Sequence, residues 1–255
     1  VVVPVSLSDK LAPRQPKVLT VDIETAPAIV MAWGLWDQNI GVSQIVEPSR
    51  VLCFAAKWYH QKRVLFGSEF HHGKEQFLAQ AWELFDEADA VVTYNGVKFD
   101  IPHLQREWVL LGWGPPSPWV DVDLLRTFRS RFKFMSNKLG FVTDQLGLDT
   151  KLETGGQSLW TRVLADDRQA WDEFKRYNKQ DVVITEQLMM QVLPWIKSGP
   201  HFGLLSGDPA RCFACGSPEL VPAGVVFTRS VKYPKLVCVC GAWNKVLRSG
   251  ETRPA

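Results

Sequence analysis

What the chain lacks narrows its class first. None of its 255 residues falls in an apolar run approaching the roughly 18 to 20 residues of a membrane-spanning helix. The first residues, Val1 to Val5, are apolar but no basic segment precedes them, so they do not read as a signal peptide. Gly-x-Ser-x-Gly and His-Glu-x-x-His are absent, which removes the signatures of a hydrolase nucleophile elbow and of a zincin site. Gly67…Gly73-Lys74-Glu75 fails as a phosphate-binding loop, with five residues between the glycines and no Ser or Thr after Lys74. There is no internal repeat and no low-complexity tract. Cysteines number only five, and four of them fall between positions 212 and 240, which argues for metal ligation rather than a disulfide framework. The fifth, Cys53, sits in an apolar run and reads as a buried, inert thiol. Together these absences predict a soluble cytoplasmic protein with no membrane partner.

What is present suits one substantial core and a small extra module, since 46% of the residues are hydrophobic. The net charge of +2 hides an asymmetry. From Lys197 onward eight basic residues face three acidic ones, whereas residues 1–196 are net −3. A mildly acidic body joined to a basic module fits a catalytic domain carrying a polyanion-binding piece.

Residues 1–16, with Pro4, Pro13 and Pro16, predict an extended arm. Lys17–Glu24 predicts the first strand, ended by Thr25-Ala26-Pro27. Val30–Trp36 and Ser43–Val46 are short strand candidates, and Val51–Tyr59 with Lys62–Gly67 predicts a hairpin about His60-Gln61. The spacing of Phe77, Leu78, Ala81, Trp82, Leu84 and Phe85 predicts a helix over Lys74–Glu87. Ala90–Tyr94 reads as a buried strand and Asn95-Gly96 as a turn. Asp100 opens a helix reaching about Gly112, with Pro102 in its first turn. Trp119–Val122 is a further strand, and Asp123 is a natural N-cap for Leu124–Arg131. Helices are expected over Asn137–Leu146, Ser158–Leu164 and Asp167–Val192, with a loop at Leu152–Gly156. The eleven tryptophans read as core. Residues 17–196 thus predict an α/β domain with a mixed sheet. Residues 197–210 read as a linker, 211–248 as a cysteine module and 249–255 as a tail.

Three acidic features stand out. In Val21-Asp22-Ile23-Glu24-Thr25, strand alternation puts Leu19, Val21 and Ile23 on one face and Asp22 and Glu24 on the other. Two adjacent like charges at a strand end are costly unless a cation lies between them, and carboxylate oxygens suit Mg²⁺ or Mn²⁺; a solvated face is the bland alternative. Tyr94-Asn95-Gly96-Val97-Lys98-Phe99-Asp100 places an Asp at a helix start directly after a strand and turn, where it can also serve as a cap. Tyr177 and Asp181 lie four apart, on one face of a helix that Val182, Val183, Ile184 and Leu188 mark as largely buried. A hydrogen-bonded Tyr beside a surface Asp is the other reading of that pair.

Taken in order, Asp-x-Glu on a first strand, Asn-x-x-x-Phe-Asp after a later strand and Tyr-x-x-x-Asp in a late helix resemble the three motifs of the DEDDy 3′→5′ exonucleases. Those belong to the DnaQ-like, ribonuclease H-like superfamily. Asp121-Val122-Asp123-Leu124-Leu125, the helix from Lys138-Leu139 to Leu146-Gly147-Leu148, and Leu193-Pro194-Trp195 are similar to phage-type relatives of polymerase B proofreading domains. The resemblance covers roughly residues 17–196. It implies a ribonuclease H-like mixed sheet flanked by helices, with Asp22, Glu24, Asp100 and Asp181 holding two Mg²⁺ or Mn²⁺ ions and Asp22 bridging them. Two cations about 3.5–4 Å apart activate water and stabilise the leaving oxygen of a phosphodiester. Tyr177 stands where the sister DEDDh group has His; with an ordinary pKa of about 10 it is a poor general base near neutrality, so its implied role is to orient the attacking water. The backbone at Thr25 and Ala26, and Asn95, are substrate-contact candidates. Phe99 either packs under a base or braces Asp100, with bracing preferred. Asp123 reads as a cap rather than a fifth ligand, His103 as structural, and His71-His72 as a surface pair.

Cys212-Phe213-Ala214-Cys215-Gly216 and Cys238-Val239-Cys240-Gly241 frame a β-rich stretch and resemble the two knuckles of a zinc ribbon, with four thiolates for one structural Zn²⁺. The second knuckle is one residue shorter than the usual Cys-x-x-Cys. Arg211, Arg229, Lys232, Lys235 and Lys245, interleaved with Phe213, Phe227, Tyr233 and Trp243, suit single-strand binding by charge and stacking; a solvated surface or a protein contact is the alternative. The expectation is a 3′→5′ exonuclease releasing nucleoside monophosphates from the 3′ end of single-stranded DNA, working beside a replication or repair protein, in the host cytoplasm if the chain is phage-encoded. An RNA exonuclease, a structure-specific nuclease, or a non-catalytic nucleic-acid-binding scaffold are the rival readings.

Overall fold

The computed structural model describes residues 15–149, 156–197 and 199–255. The expected arm up to residue 14 and the expected loop from 152 to 155 lie outside the described residues. The chain opens with β1 (Val18–Ala26), followed by a small separate hairpin of β2 (Ile29–Val30) and β3 (Ile45–Glu47). Then come β4 (Arg50–Trp58), β5 (Leu65–Ser68), the short α1 (Glu69–His72), α2 (Lys74–Glu87), β6 (Ala90–Thr93), α3 (Asp100–Leu110) and β7 (Val120–Asp123). The main sheet has the order β5-β4-β1-β6-β7. β1, β4 and β5 pair antiparallel, β4 and β5 through a short turn and β1 and β4 across the segment that carries the β2–β3 hairpin, whereas β1, β6 and β7 run parallel. Parallel neighbours need a crossover, and α3 supplies it between β6 and β7.

The expected alternation along β1 holds. Leu19, Val21 and Ile23 pack with Phe77, Leu78 and Phe85 of α2 and with Leu104 and Trp108 of α3. The opposite face is covered by α7 (Arg168–Val192), which follows α4 (Leu124–Arg131), α5 (Leu139–Gln145) and α6 (Gln157–Leu164). Trp171 and Phe174 of α7 cover Leu52 and Cys53, while Leu188 and Val192 cover Val18. Asp167 caps α7, its Oδ1 accepting the Gln169 and Ala170 N–H groups at 2.8 and 3.2 Å. Lys57 on β4 forms a buried ion pair with Glu186 on α7.

After α7 come α8 (Phe202–Leu205) and a second antiparallel sheet of β8 (Leu220–Phe227), β9 (Lys232–Cys238), β10 (Trp243–Val246) and β11 (Thr252–Pro254), ordered β11-β10-β9-β8. The stretch read as a linker thus contains a helix, and the stretch read as a tail contains a strand. Gly and Pro there set backbone turns, but Phe202 requires an apolar partner and finds one. It joins Val122, Leu193 and Ile196 of the body and Cys212, Phe213 and Cys238 of the module in one continuous core cluster.

The candidate strand over Val30–Trp36 is largely corrected. β2 stops at Val30, and Trp33, Leu35 and Trp36 are 98%, 91% and 83% exposed, so these tryptophans are not core. The apolar pattern is strand-like, but this hairpin leaves the main sheet between β1 and β4 and has no layer to pack against. Because the body and the module share one cluster, Phe202→Ala is expected to cost about 3 kcal/mol. Fluorescence and far-ultraviolet dichroism should follow the same denaturant transition; separate body and module transitions would contradict the shared core.

Candidate active site and cysteine centre

β1 aims Asp22 and Glu24 at the face that α7 covers, and α7 brings Asp181 to the same place. One carboxylate oxygen from each of the three lies within 4.8 Å of the others. Asp22 and Glu24 are half-buried; Asp181 is buried, as is Tyr177 one helical turn before it. A register shift between Glu24 and Thr25 interrupts the β1–β4 ladder at the cluster, a common place for a bulge to re-aim side chains.

Sequence reasoning missed Asn178. It is fully buried on α7, and its Nδ2 donates to Asp22 Oδ2 at 2.6 Å and to the Asp22 carbonyl at 3.3 Å. The Cys53 thiol, opposite Glu24 in the β1–β4 register, lies 3.7 Å from Asn178 Oδ1. Burial, and after it Glu24 and Asp22, push that thiol well above its ordinary pKa, so Cys53 stays a neutral donor, in keeping with an inert buried residue. The available signal was an amide sandwiched in the buried part of α7, where polar groups need partners.

Asp100 stands apart from the three-carboxylate cluster. Its backbone begins α3, and its Oδ1 accepts the Ile23 N–H at 3.0 Å, so it touches β1 between Asp22 and Glu24. The β1–β6 ladder ends at Thr20, and the Asp100 carboxylate takes over from it. Burial pushes Asp100 up to about 7; the Ile23 N–H opposes that rise and Asp123 adds to it.

The turn before α3 fixes this placement. Asn95 adopts φ 72°, and its N–H is held at 3.0 Å by Asp123 Oδ1, which also caps α4 through the Leu125 N–H at 3.0 Å. Asp123 is therefore a cap, as expected, and a clamp on the turn as well. At Gly96 a Cβ would come within 2.4 Å of the Thr93 side chain, so only glycine fits this close approach. The remaining substrate candidates are scattered. The Thr25 carbonyl is taken by Trp160 Nε1 at 3.0 Å, and Ala26 is 1% exposed. Phe99 is 40% exposed, and its ring centre lies 4.5 Å from that of His103. His103 Nδ1 is 2.7 Å from the Phe99 carbonyl, a structural contact.

The sequence profile of the RNase H superfamily matches residues 46–193. The chain belongs to the RNase H superfamily. The matched stretch contains Asp100, Tyr177 and Asp181, while Asp22 and Glu24 precede it. No curated protein matches the chain. Among solved structures, the family B DNA polymerase from the hyperthermophilic archaeon Pyrobaculum calidifontis superposes with a TM-score of 0.55 at 17% identity, over 88% of this chain and 32% of the polymerase. That likeness is one of fold, and the chain spans about a third of the polymerase's length. The mixed five-stranded sheet flanked by helices is the RNase H-like fold.

The cysteine centre lies beyond the region matched to the RNase H superfamily. The Cys212 and Cys240 sulfurs are 3.8 Å apart and those of Cys215 and Cys238 are 3.5 Å apart, with all four within 4.8 Å of one another. Four thiolates bound tetrahedrally at about 2.3 Å from one ion would lie roughly 3.8 Å apart, so the set fits a Zn²⁺-sized cation. The short second knuckle closes through Gly241 at φ 86°, whose N–H reaches the Cys238 carbonyl at 2.8 Å. Asn244, fully buried, donates to Cys212 Sγ at 3.6 Å and accepts the Phe213 N–H at 3.0 Å. The neighbouring Cys215 thiol holds Cys212 below the ordinary thiol range and is itself pushed up in return.

Asp100 gives a pH signature. Its pKa in the folded chain lies above the usual 3.8. Its contribution to stability is therefore complete below about pH 4 and is lost as the pH rises through about 7. Asp100→Asn keeps an acceptor for Ile23 and removes the charge. Without added divalent cations, this variant should be more stable than the parent at pH 8 and match it at pH 4. Denaturant melts at the two pH values check this, and an equal difference at both would contradict it.

Proposed function

We propose that this RNase H superfamily chain is a DEDDy-type 3′→5′ exonuclease that cleaves single-stranded DNA to nucleoside monophosphates, akin to phage-type relatives of polymerase B proofreading domains. The observation that carries the proposal is the meeting of the Asp22, Glu24 and Asp181 carboxylates within 4.8 Å at the β1–α7 contact. Asp100 adds a fourth carboxylate through its bond to the β1 backbone. Three carboxylates so close repel one another and suit hard divalent cations. Asp22, Glu24, Asp100 and Asp181 would hold two Mg²⁺ or Mn²⁺ ions, which when bound lower the pKa of water and stabilise charge on the leaving oxygen.

The protein's own groups supply orientation. Asn178 fixes the Asp22 carboxylate by a 2.6 Å hydrogen bond. Tyr177, buried one turn from Asp181, would orient the attacking water. The exposed ring of Phe99 would offer a surface for a terminal base, and Asn95, four residues before it in the same turn, would contact the sugar or phosphate. Cys212, Cys215, Cys238 and Cys240 would hold one structural Zn²⁺, for which the sulfur spacings are suited.

A 3′-labelled strand incubated with Mg²⁺ or Mn²⁺ should shorten stepwise to mononucleotides. Asp22→Ala is expected to lower the rate at least about 100-fold. Absence of divalent-dependent cleavage across single-stranded, duplex and flapped DNA and RNA would overturn the proposal; preference for RNA would overturn only the substrate. Asn178→Leu should weaken divalent-cation binding or activity by roughly 10- to 100-fold, read by calorimetry and by cleavage. Metal analysis should find one zinc per chain, lost in Cys212→Ser/Cys215→Ser.

A further inference from the structure

We propose that the outer face of the β8–β11 sheet is a platform for single-stranded nucleic acid, with phosphates held by Lys235, Lys245 and Arg253 and bases stacked on Trp243 and Tyr233. This goes beyond the nuclease proposal, because strand binding here needs none of the carboxylates.

The register makes the case. Lys245 on β10 stands directly opposite Lys235 on β9 and Arg253 on β11. Directly opposed residues share a face, so three cations lie abreast across three strands, about 4.8 Å from strand to strand. Trp243 and Tyr233 are two residues from Lys245 and Lys235 along their strands and so lie on that face too. The Lys235 ammonium is 4.7 Å from the Trp243 ring centre, and that of Lys245 is 5.8 Å from the Tyr233 ring centre. The intervening residues Asn244 and Thr252 are 0% and 1% exposed, so the other face of β10 and β11 is the buried one and the cationic face points outward.

Like charges directly opposite one another destabilise a sheet. Among the described residues, the ion pairs on this row are limited to Arg253 with Glu251. A row of repelling cations on a small module is relieved by a polyanion. Rings set between those cations add the feature that distinguishes an unpaired strand from a duplex, whose bases offer no free face. The structure also redraws the basic surface expected from sequence. Phe213 is buried, Arg211 pairs with Asp208 at 3.3 Å, and Arg253, from the stretch read as a tail, completes the row.

The test uses the full chain carrying Asp22→Asn, so that binding is read without cleavage, and a fluorescent oligothymidylate strand followed by anisotropy over a series of salt concentrations. Lys235→Gln/Lys245→Gln should weaken binding roughly 10-fold or more and make the plot of log affinity against log salt shallower by about 1.4. Trp243→Ala should weaken binding roughly 10-fold with the slope unchanged. Arg253→Gln, on the terminal edge strand, should remove about half the slope change of the double variant. Thermal midpoints and metal content check that each variant is folded. Unchanged affinity and slope in folded variants would overturn the proposal. So would polyglutamate competing as well as the strand while Trp243→Ala stays neutral, which would assign the face to an acidic protein. A native chain without nuclease activity but with this binding pattern would overturn only the nuclease proposal.

Discussion

Helix α7 has to lie on the one face of β1 that carries carboxylates, and the rest of the molecule is arranged around that contact. Burying charge under a helix is costly unless each group finds a partner. Above and below the cluster the contact is apolar, with Trp171 and Phe174 at one end and Leu188 and Val192 at the other. In the middle, Asn178 supplies the donor that Asp22 requires. The buried pair of Lys57 and Glu186 adds a second polar registration point between β4 and α7. A slide of the helix by one turn would strand both polar pairs, so the apolar ends provide adhesion and the polar middle sets the position.

The same helix ties the cysteine module to the body. Asp181 belongs to the carboxylate cluster, and Val192, eleven residues on, belongs to the core cluster that includes Cys212 and Cys238. At 1.5 Å per residue these points are roughly 16 Å apart along one rod. The carboxylate cluster and the module are thus linked by one continuous helix and a shared core. A module of this size has little core of its own, so the cluster it shares with the body is a large part of what holds it.

Much of the main sheet was legible in the sequence because its strands and helices obey strong periods. The helix at Lys74–Glu87 matches the expected bounds, and β6, β7, α4 and α7 lie within a residue or two of theirs. Local chemistry was legible too: Asp123 caps α4 as expected from an acidic residue just ahead of an apolar periodic run, whereas Asp167, read as the first helical residue, caps α7 instead. What failed was inference from composition where no period existed. Glycine and proline suggested a linker at 197–210, but a single phenylalanine there is enough to dock a helix. Aromatic richness suggested core at Trp33 and Trp36, but burial depends on whether a layer lies opposite, which residue type does not encode.

By itself the sequence determined the alternation of β1, the pairing of Tyr177 with Asp181 on one helical face, and the two closely spaced cysteine pairs, since each follows from a short repeat or a narrow spacing. Only the tertiary structure decided which of these meet. It brought Asp22, Glu24 and Asp181 together across some 160 residues, set Asp100 behind the β1 backbone with a raised pKa, recruited Asn178 to hold Asp22, and lined up Lys235, Lys245 and Arg253 across three strands. The physical reason is the same in each case. Local periods dictate which way a side chain points from its own element, while the register between elements, set by packing and buried polar pairs, dictates what it points at.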